Sequence, residues 1–315
     1  MKLTIVIPTL NEKSFTEKLI NSIKNNDFAD KEIIIVDGGS TDGTVEQIVE
    51  LKKKHKNLHL IHNPARYVSH GFNKAYKVAS GQYISLVGAH AEYPPQYFST
   101  CIHAIESGEC DVAGGFLSQQ GKTLMGKAIA QAMSSRFGVG DTPFRTKRKR
   151  MYVDSVAFAV YDRKVFETCG LLDEVLIRNQ DDEFHYRINR AGFRILMIPE
   201  LEVIYYVRDS LKKLFSQYFQ YGFYKPLVLK KVKTGMRLRH LIPSLFVLYL
   251  LSLPFTFYFP YWLLPLALYI ILSVYFSFKT KAPFSVRLRM IPVFPVLHIA
   301  YGTGFLLGLS KLWKK

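Results

Sequence analysis

Cysteine is scarce in this 315-residue sequence. Only Cys101, Cys110 and Cys169 are present, an odd number without the spacing of a metal site. Such cysteines indicate reduced thiols in a cytosolic domain. An export signal is not predicted either, because the amino terminus has one lysine and an apolar run too short for the core of a secretory signal. Residues 3–7 are therefore interpreted as a first strand.

Zinc-finger spacings and RNA-binding signatures are absent from a chain whose formal net charge is +17. Many of the basic residues lie close to hydrophobic segments, so anionic lipid is a simpler partner than nucleic acid. Each Lys or Arg near an anionic membrane surface contributes about 1 kcal/mol to binding. The sequence thus predicts a membrane partner and no nucleic acid.

Asp, Glu, Lys, Arg and His are missing from residues 241–278, a run of 38 residues. This length suits two membrane passes of about 20 residues each. Pro254, Pro260 and Pro265 argue against one unbroken helix, and the aromatic residues around 259–261 suit a turn at the membrane interface. The alternative is a buried hairpin in a soluble protein, which the missing charges disfavour.

A third uncharged stretch, residues 291–310, contains Pro292, Pro295, His298 and three glycines, and is a weaker candidate span. A re-entrant or interfacial segment is the alternative. Basic residues on both sides of the hairpin predict that its flanks are cytoplasmic and its tip faces out. These residues are Lys230, Lys231, Lys233, Arg237 and Arg239 before it and Lys279, Lys281, Arg287 and Arg289 after it. If the third stretch also crossed, Lys311, Lys314 and Lys315 would lie outside, against this tendency.

The first half of the chain alternates between apolar runs and helical patterns. This alternation predicts an α/β fold with a mostly parallel, doubly wound sheet that binds ligands at the carboxyl ends of its strands. The predicted strands are 3–7, 33–36, 58–61 and 83–87, separated by helices 14–25, 43–53 and 69–79. Beyond them we predict a helix at 94–106, an extended segment at 111–116, a strand at 153–161, a helix after Asn179 and an amphipathic helix at 210–225.

The segment 33–44, IIIVDGGSTDGT, is the most informative local pattern. Four β-branched residues suit a strand buried on both faces, and Asp37 lies at its carboxyl end. Gly38 and Gly39 allow a tight turn beside a ligand, and Ser40, Thr41 or Asp42 can cap the next helix. An ordinary turn between a strand and a helix is the alternative from this pattern alone.

Three motifs together resemble those of family-2 glycosyltransferases with the GT-A fold. They are IVIPTLNE (5–12), VDGGSTDGT (36–44) and NQDDEF (179–184). Four further segments are similar to the succinoglycan-type branch, in which a cytosolic GT-A domain precedes carboxyl-terminal membrane segments. These are NPAR (63–66), GFNKA (71–75), AHAEY (89–93) and QYFQYG (217–222).

This resemblance implies a GT-A domain over residues 1–207, interfacial helices over 208–240 and a membrane region over 241–315. It also implies transfer of a sugar, with inversion, from a nucleotide-diphosphate donor. A carboxylate such as Asp37 suits the hydroxyl and ring N–H groups of a nucleotide. The expected donor contacts are Pro8, Thr9, Asn11, Glu12, Asp37, Gly39, Ser40, Arg66, Asn73, Lys74, Gly88 and Ala89.

Asp181 matches the general base of the family, which takes the proton of the acceptor hydroxyl as that oxygen attacks the anomeric carbon. Asp182 and Glu183 are then supporting or structural, although acids in the first turn of a helix need no function. Asp154 is the polar candidate on the acceptor side. Gln217, Tyr221 and Lys225 are spaced by four, share one helix face and are candidates for contact with the diphosphate.

The metal motif is where the sequence departs from the family. Related chains have Asp-x-Asp or Asp-Ala-His, whereas Gly88, Ala89 and His90 place glycine at the first acidic position. His90 remains a candidate ligand for Mn²⁺ or Mg²⁺ beside the leaving diphosphate, and Glu92 is a less favoured second ligand. Alternatively, basic side chains neutralise the diphosphate without a metal. The candidates are Arg66, Lys74, Lys225 and the basic run 145–150, which is otherwise a solvated loop.

The resulting hypothesis is a multi-pass membrane glycosyltransferase at the cytoplasmic face that extends a lipid-linked saccharide in cell-surface polysaccharide synthesis. One alternative has polyprenyl phosphate itself as the acceptor. A second alternative, motivated by Gly88, is a noncatalytic membrane protein that binds nucleotide sugars.

Overall fold

The computed structural model describes residues 2–233 and 238–312, so Arg237, Lys314 and Lys315 of the charge argument lie outside it. The chain forms two compact units. The first contains Met1–Ser118 and Lys147–Tyr205, and the second contains Gln119–Thr146 and Tyr206–Lys315. The second unit therefore includes an insertion from the middle of the sequence as well as the carboxyl-terminal part.

The first part of the chain has the predicted alternation of strands and helices. The elements are β1 (Leu3–Thr9), α1 (Lys13–Lys24), β2 (Lys31–Asp37), α2 (Thr44–Lys54), β3 (Leu58–His62), α3 (Val68–Val78) and β4 (Tyr83–Leu86). All seven residues of β2 are buried, as expected for a strand covered on both faces.

The chain continues with shorter elements and one long strand. They are β5 (Ala91–Glu92), α4 (Tyr97–Glu106), β6 (Val112–Gln120), α5 (Leu124–Met133), α6 (Arg136–Val139), α7 (Pro143–Thr146), β7 (Met151–Tyr152), β8 (Val160–Asp162), α8 (Arg163–Cys169), α9 (Gln180–Arg190) and β9 (Ile195–Tyr206).

The nine strands form one sheet with the order β3-β2-β1-β4-β8-β6-β9-β5, and β7 pairs with β9. Strands β1 to β4 are parallel, whereas β8 runs antiparallel to β4 and to β6. In this register Thr9 lies beside Asp37 at the carboxyl ends of β1 and β2. The predicted α/β fold with a mostly parallel doubly wound sheet is confirmed for this half of the sheet.

One prediction about the later strands was wrong, and one strand was not predicted. Residues 153–161 were expected to form one strand, but only Val160–Asp162 does so, and the preceding residues form a loop. The twelve-residue strand β9 was not predicted, although its buried residues include Ile195, Met197 and Val203. Its polar residues Glu200 and Glu202 interrupt the apolar run, which hides the strand from a search for continuous hydrophobicity.

The second unit is helical. Its remaining elements are α10 (Leu211–Val232), α11 (Leu238–Leu251), two 3₁₀ turns (Leu253–Phe257 and Pro260–Leu263), α12 (Leu264–Phe278), α13 (Phe284–Gly308) and a last 3₁₀ turn (Leu309–Leu312). α13 packs on α10 at very close range, because a Cβ at Gly304 would lie 2.1 Å from the carbonyl oxygen of Phe219. Small residues allow such close approach of helices.

Within the described ranges, two helical segments are long and apolar enough to cross a membrane. They are Pro260–Phe278, with mean hydropathy 1.8, and Phe284–Leu312, with mean hydropathy 1.6. The segment expected to be the weaker candidate is thus the longer helix, and Pro292 and Pro295 lie within it. Conversely, α11 has only 14 residues, fewer than the roughly 20 that a full pass needs.

Charge is divided unequally between the units. The second unit contains 20 of the 42 Lys and Arg residues but only two of the 25 acids, Asp141 and Asp209. Its formal charge is therefore +18, and that of the first unit is −1. The whole positive excess of the chain belongs to the helical unit.

Candidate active site

Asp37 ends β2 and is 2% exposed. Its Oδ2 accepts hydrogen bonds from the backbone N–H groups of Gly39 (2.8 Å) and Ser40 (3.0 Å), and its Oδ1 accepts from the Ser40 hydroxyl. A carboxylate has about four acceptor positions, so three are already used within the turn. Asp37 builds the turn, and its contact with a nucleotide remains a prediction.

The loop after β1 is hydrogen-bonded to this turn. Asn11, in a left-handed conformation with φ of 56°, donates its N–H to the Ser40 hydroxyl (2.8 Å), and its Oδ1 accepts from the Thr41 N–H (2.8 Å). The Glu12 N–H donates to the Thr44 hydroxyl (3.0 Å). The predicted helix cap at residues 40–42 is instead Gly43, which has no side-chain cap. The two donor-side motifs nevertheless form one connected edge, at which β1 contributes Pro8 and Thr9.

The predicted contacts Arg66, Lys74 and Asn73 lie in three different settings. Arg66 lies beside the turn, since its Nη2 is 4.0 Å from where a Cβ on Gly39 would be. Lys74 is exposed, and its Nζ donates to the carbonyl of His62 (3.0 Å). The side chain of Asn73 is buried, and its amide exchanges hydrogen bonds with the backbone of Leu172 (2.9 and 3.1 Å). Asn73 therefore fixes a loop of the fold.

Gly88 has no space for a side chain. A Cβ built on it would lie 2.6 Å from Cε1 of Phe158, so an aromatic ring fills the place of the missing aspartate. Phe158 has a φ of 55°, and its carbonyl accepts from the Tyr97 hydroxyl (2.8 Å). The Gly88 N–H donates to the hydroxyl oxygen of Tyr93 (3.1 Å), and Ala89 is buried. The first position of the metal motif is thus part of an aromatic wall.

His90 lies against Glu12, with 2.7 Å between Nε2 and Oε1. The ring of Phe15 packs edge-on against the imidazole at a centroid distance of 4.3 Å. Glu92, the less favoured second ligand, is instead paired with Lys18 at 2.5 Å. Within residues 2–233 and 238–312, no group of three or more His, Cys, Asp or Glu side chains could hold a metal ion.

Asp181 is the second residue of α9, and its side chain is exposed. In the part of the chain that the structure describes, its carboxylate has no hydrogen bond or ion pair. It lines a small cavity with Tyr161 and five apolar residues, namely Phe72, Leu86, Phe166, Leu172 and Phe184. A carboxylate without a partner at the start of a helix is available to accept a proton from a ligand.

The neighbouring acids have different surroundings. Glu183 is 5% exposed and accepts two hydrogen bonds of 2.8 Å from Arg187, which also donates to the carbonyl of Leu171. Glu183 is therefore structural, as predicted for an acid that supports Asp181. Asp182 is partly buried in the same turn. Asp154 is exposed, and its backbone carbonyl accepts from the Asn189 amide (2.8 Å).

Two arginines of the basic run 145–150 are paired with acids. Arg148 binds both carboxylate oxygens of Glu202 (2.9 and 3.0 Å), and its hydrogen bond lowers the pKa of Glu202 to about 2. Arg150 binds Glu109 through Nε (2.9 Å). Both arginines are exposed loop residues whose charges are paired with acids of the first unit, and a phosphate contact of this run remains a prediction.

Gln217, Tyr221 and Lys225 lie on α10, in the second unit. Gln217 Nε2 donates to the Tyr221 hydroxyl (3.0 Å), so these two side chains meet on one helix face as the spacing predicts. Lys225 is 5% exposed. Their contact with a diphosphate remains a prediction.

The sequence did not single out Phe158 or Tyr161. A positive φ at a phenylalanine has no sequence signal, and Tyr161 was expected only as the end of a strand. Both residues become part of the site through contacts with residues that are distant in the sequence.

Comparisons with known proteins agree with this geometry. The family model Glycosyl transferase family 2 matches residues 4–170. A dolichyl N-acetyl-α-D-glucosaminyl phosphate 3-β-D-2,3-diacetamido-2,3-dideoxy-β-D-glucuronosyltransferase of Methanococcus voltae is 30% identical over 98% of this chain and 97% of its own length. The succinoglycan biosynthesis protein ExoA of Rhizobium meliloti is 31% identical over 76% of this chain and 73% of its own length.

Among solved structures, the mannosyltransferase PcManGT from Pyrobaculum calidifontis, in complex with GDP-Man and Mn²⁺, has a TM-score of 0.58 at 16% identity. The match covers 99% of this chain and 87% of that protein. S. aureus TarS 1–349, in complex with UDP, has a TM-score of 0.51 at 16% identity, with 96% of this chain and 92% of that protein covered. At this identity the likeness concerns the fold.

Proposed function

Since the chain belongs to glycosyl transferase family 2, we propose that it transfers a sugar from a nucleotide-diphosphate donor to a lipid-linked saccharide, with inversion at the anomeric carbon. The observation on which this rests is Asp181, an exposed carboxylate without a hydrogen-bond partner among the described residues, at the start of α9. Of the other two acids in that turn, Glu183 is paired with Arg187 and Asp182 is partly buried.

Asp181 acts as the general base in this proposal. It accepts the proton of an acceptor hydroxyl while that oxygen forms a bond to the anomeric carbon. The bond from this carbon to the diphosphate breaks on the opposite side, and a nucleoside diphosphate leaves. The Asp37 turn and the loop 8–12 hold the nucleotide, for which the fourth acceptor position of Asp37 remains open.

The acceptor class follows from the relatives and the charge distribution. The Methanococcus voltae relative is named for a dolichyl phosphate-linked sugar as its acceptor. The second unit of this chain has a formal charge of +18 and two apolar helical segments that could cross a membrane. A membrane-anchored enzyme meets a lipid-linked acceptor at high effective concentration, so modest affinity suffices. The proposed location of the catalytic unit is the cytoplasmic face.

Glu12 and His90 are the residues that would hold a divalent metal. Their oxygen and nitrogen atoms converge to 2.7 Å, and one carboxylate with one imidazole suits Mn²⁺ better than Mg²⁺. An ion held by these two residues would need further ligands from the donor, because Phe158 occupies the place of a further carboxylate. Such an ion would neutralise the leaving diphosphate. Arg66, beside the Asp37 turn, offers a positive charge for the same purpose.

A thermal-shift screen of UDP-sugars and GDP-mannose tests the donor half, with Mn²⁺ and with excess EDTA. A donor that binds the folded state raises its stability by RT ln(1 + [L]/Kd). Stabilisation that persists in EDTA would assign the diphosphate to basic side chains and oppose the Glu12–His90 site.

Asp181→Asn tests the catalytic half with the donor that the screen selects. We expect donor binding to be unchanged and nucleoside diphosphate release to fall by about 10²- to 10⁴-fold, the usual contribution of a general base. Substantial turnover by this variant would exclude the role of Asp181. Absence of release by the wild-type protein with every donor and acceptor would instead favour a noncatalytic binding protein.

The alternative acceptor is polyprenyl phosphate itself. A dolichol-phosphate mannosyltransferase of Pyrococcus furiosus is 32% identical over 36% of this chain, which supports a comparison of the two acceptor types. Synthetic polyprenyl phosphate and polyprenyl diphosphate-linked sugar are supplied separately. Transfer to the lipid-linked sugar alone supports the proposal, and transfer to polyprenyl phosphate alone overturns its acceptor.

A further inference from the structure

A buried histidine lies behind Asp181. His185 follows Asp181 by one helical turn on α9 and is 1% exposed. Its Nε2 is 2.9 Å from the hydroxyl of Tyr161 on β8, and its Nδ1 is 3.0 Å from the hydroxyl of Ser155. Residues at positions i and i+4 share a helix face, so Asp181 and His185 both project towards β8.

The three side chains form a continuous hydrogen-bonded chain. A neutral imidazole has one donor and one acceptor nitrogen, so one hydroxyl must donate to the ring and the other must accept from it. Burial lowers the pKa of His185, which keeps the ring neutral at pH 7. All hydrogen bonds of the chain therefore run in the same direction, and the tautomer of His185 sets that direction.

This chain ends at the cavity of Asp181. Tyr161 and Asp181 both line that cavity, whose other walls are apolar: Phe72 from α3, Leu86 from β4, Phe166 from α8, Leu172 from the loop before α9 and Phe184 from α9. Burial and the nearby charge of Asp181 raise the pKa of Tyr161, so its hydroxyl keeps its proton. The charged groups that act on His185 are Asp181 and Asp182.

An ionised carboxylate beside an apolar cavity favours a hydrogen-bond donor that faces it. The favourable direction is therefore from Ser155 to His185, from His185 Nε2–H to Tyr161, and from the Tyr161 hydroxyl towards Asp181. We propose that Tyr161 and His185 are positioning residues that direct this hydroxyl towards Asp181. The inference rests on the proposed role of Asp181 as the general base.

The test is the pH profile of nucleoside diphosphate release by full-length protein, with the donor selected by the thermal-shift screen. Tyr161→Phe removes the hydroxyl and keeps the ring. We expect the acid limb of the profile to move up by about one pH unit, because the carboxylate then loses the hydrogen-bond donor that faces it in the proposal. Ser155→Ala, at the far end of the chain, should move it in the same direction by a smaller amount.

Tyr83→Phe is the matched control. Tyr83 is also buried, on the adjacent strand β4, but its hydroxyl bonds to Glu106 (3.2 Å) and does not line the cavity. The acid limb of the pH profile of Tyr83→Phe should stay at the wild-type position. A profile that is unchanged in both Tyr161→Phe and Ser155→Ala would overturn the inference, and if Tyr161→Phe does not fold, Ser155→Ala alone decides.

Failure of the inference is distinguishable from failure of the proposed function. If Asp181→Asn retains turnover, the base is wrong and the proposed function fails at that residue. If Asp181→Asn is inactive while Tyr161→Phe and Ser155→Ala keep the wild-type profile, only the role of the hydrogen-bonded chain is lost.

Discussion

The two units of this protein differ in their balance of basic and acidic residues. The first unit has 22 basic and 23 acidic residues, and several of its arginines are paired with its own acids, as Arg148 is with Glu202 and Arg187 with Glu183. The second unit has 20 basic residues and two acidic ones. Most cations of the second unit therefore have no acid of their own unit with which to pair.

This difference separates two functions of charge. Among the residues that the structure describes, internal pairing in the first unit leaves Asp181 without a partner where chemistry is proposed. The cations of the second unit suit partners outside the chain, and anionic lipid is the partner that its apolar helices favour. A single net charge of +17 for the whole chain conceals both facts.

The largest expected effect concerns internal pairing in the first unit. Glu183→Gln removes the charge of the buried partner of Arg187 and should lower the free energy of unfolding by about 3 kcal/mol, because two charged hydrogen bonds from the partly buried Arg187 guanidinium are lost or weakened. Urea unfolding monitored by far-ultraviolet circular dichroism measures this loss of stability.

Arg190→Gln is the control for that variant, since Arg190 is exposed on the same helix. Its effect should lie within about 0.5 kcal/mol. Equal stability of Glu183→Gln and wild type would break the comparison, because pairing would then contribute little to the first unit.

The second prediction concerns external pairing in the second unit. Lys212 and Lys231 are exposed on α10. Changing both to Gln should reduce the stabilisation of the full-length protein by phosphatidylglycerol, relative to phosphatidylcholine, by about 2 kcal/mol, or about 1 kcal/mol for each lysine. Thermal unfolding in nanodiscs of the two compositions measures this difference.

The matched change is Lys52→Gln with Lys54→Gln, two exposed lysines of α2 in the first unit. This pair should leave the lipid dependence unchanged. If both pairs reduce it equally, total charge rather than its location in the second unit determines the lipid effect.

The smallest effect is a pH dependence. The hydrogen bond from Arg148 lowers the pKa of Glu202 from 4.5 to about 2. A lowered carboxyl pKa stabilises the fold above the unfolded value, near pH 4.5, and this contribution is lost as the pH falls towards 2. Because the Glu202 side chain is 41% exposed, the contribution should be below about 1 kcal/mol.

Glu202→Gln should therefore lose less stability than the wild type between pH 5 and pH 3, as measured by thermal unfolding. Glu200→Gln, an exposed neighbour on β9, serves as the control and should keep the wild-type slope. Identical slopes for all three proteins would show that this ion pair is fully screened by solvent.

Much of the first unit could be predicted from the sequence. The alternation from β1 to β4 is a local periodic signal, and its boundaries were close to those observed. The strand predicted at 153–161 failed because its apolar residues pack in a loop, and β9 was missed because Glu202 is stabilised there by Arg148, 54 residues away. Pairing over such distances leaves no local pattern.

The candidate site shows the same division. Motif spacing singled out Asp37, Asp181 and His90, but it did not show that Phe158 fills the place of the missing aspartate or that Glu12 meets His90. It also grouped Asp181 with Glu183, whose surroundings differ. Contacts between distant residues decide these roles.

By itself, the sequence determined the α/β alternation, the uncharged segments and the family, because each depends only on the local order of residues and on composition. Only the tertiary structure decided which acids are paired, which unit holds the positive charge and what lies behind Asp181. The physical reason is that pairing and burial depend on distances in space, and residues such as Ser155, Tyr161 and His185 become neighbours only when β8 and α9 pack together.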